Sequence, residues 1–138
     1  MKLEASALRL SATDLAAHLG CRHLTELDRL AAEGRLRPPV WRDPMLDVLV
    51  ERGIAHEAGY LAHLRDEQRL EVVRLDGDGG PERAAAETLA AMRAGVPVIA
   101  QATLRDGRWL GRADVLLRRE KASGLGRWSY EVLDRWPR

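Results

Sequence analysis

The sequence predicts an α/β fold, with helices in the first half of the chain and a mainly antiparallel, three-stranded meander in the second. Three features predict this fold, and two of them indicate the strands. Residues 96–104 and 109–118 are apolar runs on either side of Asp106-Gly107, a pair typical of hairpin turns. Apolar side chains at every second position of residues 127–134 predict the third strand.

The third feature is a long helix. Asp43 can cap its start and Pro44 suits its first position, and the apolar spacing that follows continues to about Glu67. Its predicted buried face consists of Leu46, Leu49, Val50, Ile54, Leu61 and Leu64.

Two shorter helices are predicted before this one. Ser11 or Thr13 can cap the first helix, and Gly20 ends it. The second helix covers residues 21–33, and Gly34 ends it. Its apolar stripe is formed by Leu24, Leu27, Leu30 and Ala31.

Between the long helix and the hairpin, residues 70–75 predict a strand and residues 81–94 predict a helix that ends at Gly95. The turn between them contains Asp76 and Asp78, a spacing also found in calcium loops. No Glu stands at the twelfth position of such a loop, so calcium binding is rejected.

The composition fits one globular domain or part of one, with 138 residues that are 46% hydrophobic and 31% charged. The helical part is predicted over residues 1–69 and the sheet part over residues 70–138. No apolar run is long enough to cross a membrane, and the first residues lack the apolar core of a signal peptide. The lone Cys21 excludes an internal disulfide and fits the reducing cytoplasm.

Charge is distributed unevenly along the chain. From Arg105 onward there are nine basic and five acidic residues, and the preceding residues carry 13 and 16. The net charges of the two parts are therefore +4 and −3. A positive C-terminal part is compatible with a polyanionic substrate, and equally with arginines that only contact solvent.

Two acidic residues stand inside the apolar strands. Asp114 and Asp134 belong to neighbouring predicted strands, and burying either one costs free energy unless a partner is present. Carboxylates brought together at one end of a sheet suit Mg²⁺ or Mn²⁺. His56 on the long helix is a third candidate, with the alternative that it is a histidine satisfied by a neighbour.

Five short motifs span most of the chain. They read Leu10-Ser-Ala-Thr-Asp-Leu-x-x-His-Leu-x-Cys21-Arg-His, Gly53-x-x-His56-Glu57, Thr88-x-x-x-Met92-x-x-Gly95-Val-x-Val-Ile-x-Gln-Ala102, Gly107-x-Trp109-x-Gly-Arg-Ala-Asp114 and Trp128-Ser-Tyr-Glu-Val-x-Asp134. In this order and spacing they resemble the PD-(D/E)xK nucleases of the RecB-like branch, and a bacterial group of RecB-family nucleases in particular.

The resemblance implies a restriction-endonuclease-like core that hydrolyses phosphodiester bonds of DNA with Mg²⁺ or Mn²⁺. It implies His56, Asp114 and Asp134 as metal ligands, with Asp114 and Asp134 also catalytic. Cys21 matches the first cysteine that relatives give to a [4Fe–4S] cluster, which one cysteine alone cannot hold. We expect the DNA contacts to come from Arg108, Arg112 and Arg127.

The chain departs from the family pattern at its third motif. Trp136 stands where the pattern has the catalytic lysine, and Lys2 and Lys121 are the only lysines. We therefore expect an incomplete RecB-like domain that is inactive as written, with a shifted reading frame as one origin. We also expect self-association through an uncovered apolar face formed by Leu116, Val132 and Leu133.

Two other functions stay open at this point. One is a non-catalytic remnant that binds DNA or a protein partner through its arginines. The other is an unrelated α/β binding module whose acidic residues lie on the surface.

Overall fold

The computed structural model describes residues 1–4, 6–41 and 43–133. In chain order the elements are β1 (Lys2–Glu4), β2 (Ala7–Arg9), α1 (Ala12–Gly20), α2 (Arg22–Ala32), α3 (Pro44–Asp66), β3 (Val72–Arg74), α4 (Pro81–Ala94), β4 (Val98–Asp106), β5 (Trp109–Arg119) and β6 (Ser129–Leu133). Among the described residues, no helix combines the length and apolar character needed to cross a membrane.

The chain divides into two compact units. The N-terminal unit is Met1–Arg42 with Arg105–Gly111, and the sheet unit is Asp43–Leu104 with Arg112–Arg138. Each unit has its own small architecture, described separately below.

The sheet unit confirms the predicted α/β class but corrects the predicted sheet. The sheet has four strands in the order β3-β4-β5-β6, so the three-stranded meander was wrong. β3 is parallel to β4, with Val72 opposite Val98, and β5 is antiparallel to β6, with Val115 opposite Leu133. The parallel pair arises because α4 carries the chain across the sheet between β3 and β4, as a parallel connection requires.

The helix α3 begins as predicted, because the Asp43 side chain accepts a hydrogen bond of 2.9 Å from the Met45 N–H. Its C-terminal half covers one face of the sheet, where Leu61 and Leu64 pack in a cluster with Val98, Ala100 and Val115. The prediction was wrong for its N-terminal half, whose apolar residues are exposed. These are Met45, Leu46, Val48, Leu49, Val50 and Ile54.

The opposite face of the sheet is covered by α4. Ala91 and Met92 of α4 pack against a second cluster, formed by Ile99, Ala102, Ala113 and Leu116. Leu116 is 1% exposed, so its predicted exposure was wrong; Val132 is 52% exposed and Leu133 is half-buried. The reason is that the face carrying Leu116 has a helix on it.

The N-terminal unit is built from short elements. β1 and β2 form a small antiparallel sheet, with Leu3 opposite Leu8, which the sequence analysis did not predict. Ser11 caps α1 as predicted, through a capping box with Asp14. Leu10 joins the hairpin tip, since its carbonyl accepts a hydrogen bond of 2.8 Å from the Leu110 N–H.

Candidate metal site

The alternation of side chains between the two faces of the sheet inverts inside β4. Side chains alternate along a strand, so residues three apart should lie on opposite faces. Ile99 and Ala102 nevertheless pack in the same cluster, on the face that α4 covers. Gln101 between them has a φ of 59°, in the left-handed region. The strand therefore contains a bulge-like irregularity at Gln101.

The neighbouring strand β5 has the same inversion. Ala113 and Leu116 also share the α4 cluster, whereas Val115 between them packs on the α3 side. The Arg118 N–H donates to the Pro97 carbonyl at 2.9 Å. This bond puts Pro97 opposite Arg118, so counting along the two antiparallel strands puts Gln101 opposite Asp114. The irregularity is thus shared by both strands and includes Asp114.

The backbone N–H of Thr103 also departs from the regular hydrogen bonding of a sheet. The Thr103 N–H donates a hydrogen bond of 2.9 Å to the Thr88 hydroxyl on α4, away from the strand ladder. A left-handed φ at a residue other than glycine costs about 1–3 kcal/mol. Irregularities of this kind are over-represented beside functional sites.

The Gln101 side chain points to α3 and is held there by Glu57. Gln101 is 8% exposed, and its Nε2 donates to Glu57 Oε1 at 2.6 Å. The same Oε1 lies 4.0 Å from Arg74 Nη1 on β3. Glu57 shares a helix face with Leu61 and Leu64, and its side chain is 19% exposed. Its carboxylate therefore lies over the sheet at the level of the irregularity.

His56 is placed differently from Glu57. One residue along a helix is a rotation of about 100°, so the two side chains leave α3 in different directions. His56 is exposed, whereas Glu57 is half-buried. Of the two acid–base residues in the Gly53-x-x-His56-Glu57 motif, Glu57 is the one turned to the sheet.

Asp114 is exposed, although its neighbours Ala113 and Val115 are buried. The expectation that it is buried was wrong, and because the residue is exposed to solvent, its charge carries no burial cost inside this apolar strand. Asp134 lies outside the described residues. Within the described part of the chain, no three His, Cys, Asp or Glu side chains form a group that could hold a metal ion.

The donor atoms near the irregularity fit a hard divalent cation by their chemistry. Glu57 and Asp114 offer carboxylate oxygens, and Gln101 offers an amide oxygen while its Nε2 donates to Glu57. Oxygen donors are those that Mg²⁺ and Mn²⁺ prefer. The residues present therefore match the predicted metal in donor type, although within the described part of the chain they form no ligand group.

The three predicted DNA-binding arginines are all exposed, and they belong to both units of the chain. Arg108 lies at the hairpin tip, in the N-terminal unit. In the sheet unit, Arg112 is near the start of β5, and Arg127 precedes β6. Ser129 pairs with Arg119, so Arg127 lies at the other end of β5, about 23 Å away at the rise of a strand.

The remaining predicted positions are also on the surface. Cys21 is exposed and lies where α1 ends and α2 begins. Lys121 is exposed and follows the end of β5. Arg119, where β5 ends, is about 16 Å from Asp114 at the rise of a strand, and Lys121 lies beyond that end.

No family model matches the chain, and neither a curated protein nor a solved structure matches it. The RecB-like resemblance therefore remains a prediction that depends on the motif residues alone.

Sequence reasoning assigned no role to Glu57 or Gln101, although both stand in the motifs. Two signals could have identified them. Glu57 falls on the apolar stripe that continues through Leu61 and Leu64, and Gln101 is the one amide in the apolar run of residues 96–104. A polar residue at either place needs a partner when it is buried, and each is the other's partner.

Proposed function

We propose that this chain belongs to a RecB-like DNA nuclease domain and that it binds the metal without cleaving DNA. One observation supports this most directly. The paired irregularity of β4 and β5 puts Gln101 and Asp114 at one level, and Glu57 reaches the same place from α3. In this proposal the domain is a restriction-endonuclease-like core of a cytoplasmic protein, in keeping with its single thiol.

Mg²⁺ or Mn²⁺ would be held by Asp114 with Asp134 and a side chain of α3, where His56 is the ligand that the resemblance implies. When bound, the cation polarises the scissile phosphate as a Lewis acid. These residues would hold the cation in place, and the exposed position of Asp114 leaves that carboxylate accessible to a phosphate from solvent.

Cleavage needs a further cationic side chain beside the attacking water, and neither Lys121 nor Arg74 supplies one. Lys121 lies beyond Arg119, the end of β5, which is about 16 Å from Asp114 at the rise of a strand. Arg74 is near Glu57, but a guanidinium stays protonated and cannot take a proton from water. Loss of one such electrostatic group typically costs about 10²–10³ in rate.

The test measures Mn²⁺ binding and DNA cleavage by the 138-residue chain. We expect weak Mn²⁺ binding that Asp114→Ala abolishes, and no cleavage of single- or double-stranded DNA above background. Glu131→Gln is the matched control, because Glu131 is an exposed acid of the same sheet, paired with Arg119 at 2.7 Å. Absence of Mn²⁺ binding, or binding that Asp114→Ala leaves unchanged, would contradict the metal site.

Robust Mn²⁺-dependent cleavage that Asp114→Ala abolishes would instead show that the lysine argument is wrong. It would leave the metal site in place and make the chain an active nuclease. The comparison with Asp114→Ala also separates cleavage by this site from cleavage by a contaminating enzyme.

A second function, metal-independent DNA binding, is favoured by the exposure of Arg112 on β5 and of Arg108 at the hairpin tip. Binding of a labelled duplex in the presence of a chelator would support it, and it should weaken with rising salt. Arg112→Gln should then reduce the affinity, whereas Arg83→Gln on α4, whose arginine pairs with Glu87, should change it less. If the chain binds neither metal nor DNA, the remaining interpretation is an unrelated α/β binding module.

A further inference from the structure

We propose that the N-terminal half of α3, residues 44–56, is a self-association surface on which a second copy of this chain packs its own α3. The inference goes beyond the proposed function and depends on neither the metal nor DNA. It replaces the apolar face that the sequence predicted for self-association, because Leu116 of that face is buried.

The apolar face of α3 is one continuous stripe, of which the C-terminal part is covered by the sheet. Leu46 and Leu64 lie about five full turns apart, roughly 27 Å along the axis, so their side chains leave the helix in the same direction. Leu64 is 2% exposed in the cluster with Val98 and Val115, whereas Leu46 is 58% exposed. The face that packs on the sheet at one end of α3 therefore continues as an exposed apolar surface at the other.

The exposed half of α3 offers enough apolar area for a stable dimer. Its large apolar side chains are 44–65% exposed, and they are Met45, Leu46, Val48, Leu49, Val50 and Ile54. With roughly 100 Å² of exposed surface each, they present about 600 Å², the upper end of the apolar patches on typical monomers. Two copies that cover each other would bury about 1,200 Å², which reaches the range of stable interfaces.

The spacing of these apolar residues suits a second copy of the same helix. Leu46 precedes Val50 by about one turn, and Ile54 follows Val50 by about one turn. In an antiparallel contact with its two-fold axis at Val50, Leu46 packs on Ile54 of the second copy, and the two Val50 side chains pack on each other. The same patch then serves on both copies, as a closed two-fold interface requires.

The exposed half of α3 also gains helical stability from such a cover. A helical segment of this length is marginal in water by itself, and Gly53 in its interior weakens it further. We therefore expect helical content to rise with protein concentration as the dimer forms. Leu46, Val50 and Ile54 carry no charge, so high salt should not weaken the association, in contrast to a contact held by ion pairs.

Sedimentation equilibrium of the 138-residue chain measures this association. We expect a reversible monomer–dimer equilibrium that Val50→Glu weakens about 100-fold or more, because two like charges would meet at the axis. Val132→Glu is the matched control, since Val132 is exposed to the same extent, 52% against 53% for Val50, and should leave the dimer intact. Circular dichroism and urea denaturation check that both variants fold.

A cysteine at the axis tests the two-fold arrangement. Cys21 is the single cysteine of the chain, so Cys21→Ser gives a background without thiols. In that background Val50→Cys should form a disulfide between two copies under mild oxidation, and Val132→Cys should not. A disulfide needs Cα atoms within about 7 Å of each other, and residues that pack on each other at a two-fold axis can meet this requirement.

The outcomes separate the surface from its alternatives. A monomer at all concentrations would overturn the inference and leave the metal and DNA proposals as they are. A dimer that Val132→Glu dissociates and Val50→Glu does not would assign self-association to β6 and overturn the role of α3. A dimer that Val50→Glu dissociates, but in which Val50→Cys forms no disulfide, would keep the surface and refute the two-fold axis at Val50.

Discussion

The two faces of the four-stranded sheet use polar side chains for different purposes. On the face covered by α4, polar side chains bind backbone groups: Thr88 accepts from the Thr103 N–H, and Tyr130 donates to the Val96 carbonyl at 2.6 Å. On the face covered by α3, Gln101 and Glu57 bind each other. On the α4 face the side chains satisfy backbone groups of the fold. On the α3 face the described contacts of the Glu57 carboxylate are with side chains and satisfy no backbone group.

The C-terminal end of α4 explains why its face needs such side chains. The last carbonyls of a helix lack partners within the helix. Trp128 Nε1 donates to the Met92 carbonyl and Arg118 Nη1 to the Gly95 carbonyl, both at 2.9 Å. The Arg118 guanidinium also lies 5.1 Å from the centre of the Trp128 ring, a cation–π contact. These residues join the helix end to β5 and to the start of β6.

The largest effect is expected from removing a core side chain on the α4 face. Leu116→Ala should lower the free energy of unfolding by about 2–5 kcal/mol, because it leaves a cavity in a cluster where Leu116 is 1% exposed. Urea denaturation measures this. Val132→Ala, at a residue 52% exposed, should cost less than about 1 kcal/mol, and equal losses for both would contradict the assigned packing.

The next effect tests the hydrogen bonds of the same face. Thr88→Val keeps the shape but removes the hydroxyl that accepts from the Thr103 N–H, which then has no described acceptor in its place. We expect a loss of about 1–3 kcal/mol, the usual cost of an unsatisfied buried donor. Thr88→Ser keeps the hydroxyl and serves as the control. A larger loss for Ser than for Val would show that the methyl group matters more than the hydrogen bond.

A smaller effect on the α4 face depends on pH. Burial raises the pKa of Tyr130 above its ordinary value of 10.0, and the nearby charge of Arg118 opposes this only in part. The unfolded chain therefore loses this proton first as the pH rises, and the stability that the protonated phenol contributes is full below pH 10 and declines above it.

Tyr130→Phe should lose about 1 kcal/mol near neutral pH, for the missing hydrogen bond to Val96, and should show a weaker decline above pH 10 than the unmodified chain. Thermal melting across that pH range measures both. Tyr60→Phe, the other tyrosine of the chain, is the control. A decline that Tyr60→Phe removes and Tyr130→Phe does not would refute the assignment.

Local signals in the sequence predicted those features of the fold that depend on neighbouring residues. Asp43-Pro44 predicted the start of α3 because capping involves only adjacent groups. Asp106-Gly107 predicted the hairpin for the same reason. The parallel partner of β3 was not predictable in this way, since it depends on the path that α4 takes across the sheet. β1 and β2 are each three residues long, too short to show a period.

The candidate site was predicted only in part, and for a related reason. The motifs identified Asp114 and the segment of α3 that contains Glu57. They gave no sign that the alternation inverts at Gln101, because residues 98–100 and 102 are apolar on both sides of it. Which residue of the His56-Glu57 pair faces the sheet follows from the packing of Leu61 and Leu64, a property of the assembled fold.

The smallest stability effect is expected at the α3 face. It tests directly whether polar side chains contribute less to stability there than on the α4 face. Glu57→Gln keeps the shape and an oxygen that can accept from Gln101, and removes only the charge facing Arg74. That ion pair is 4.0 Å long and its arginine is 57% exposed, so it contributes about 0–1 kcal/mol. We expect the unfolding free energy, measured with a chelator present, to change by less than about 1 kcal/mol.

Arg74→Gln is the matched control, because it removes the same ion pair from its other side while leaving the Glu57 carboxylate in place. If both variants are nearly neutral, the carboxylate is not needed for folding, in contrast to the Thr88 hydroxyl. A loss above about 2 kcal/mol for Glu57→Gln alone would make Glu57 a structural residue like Thr88.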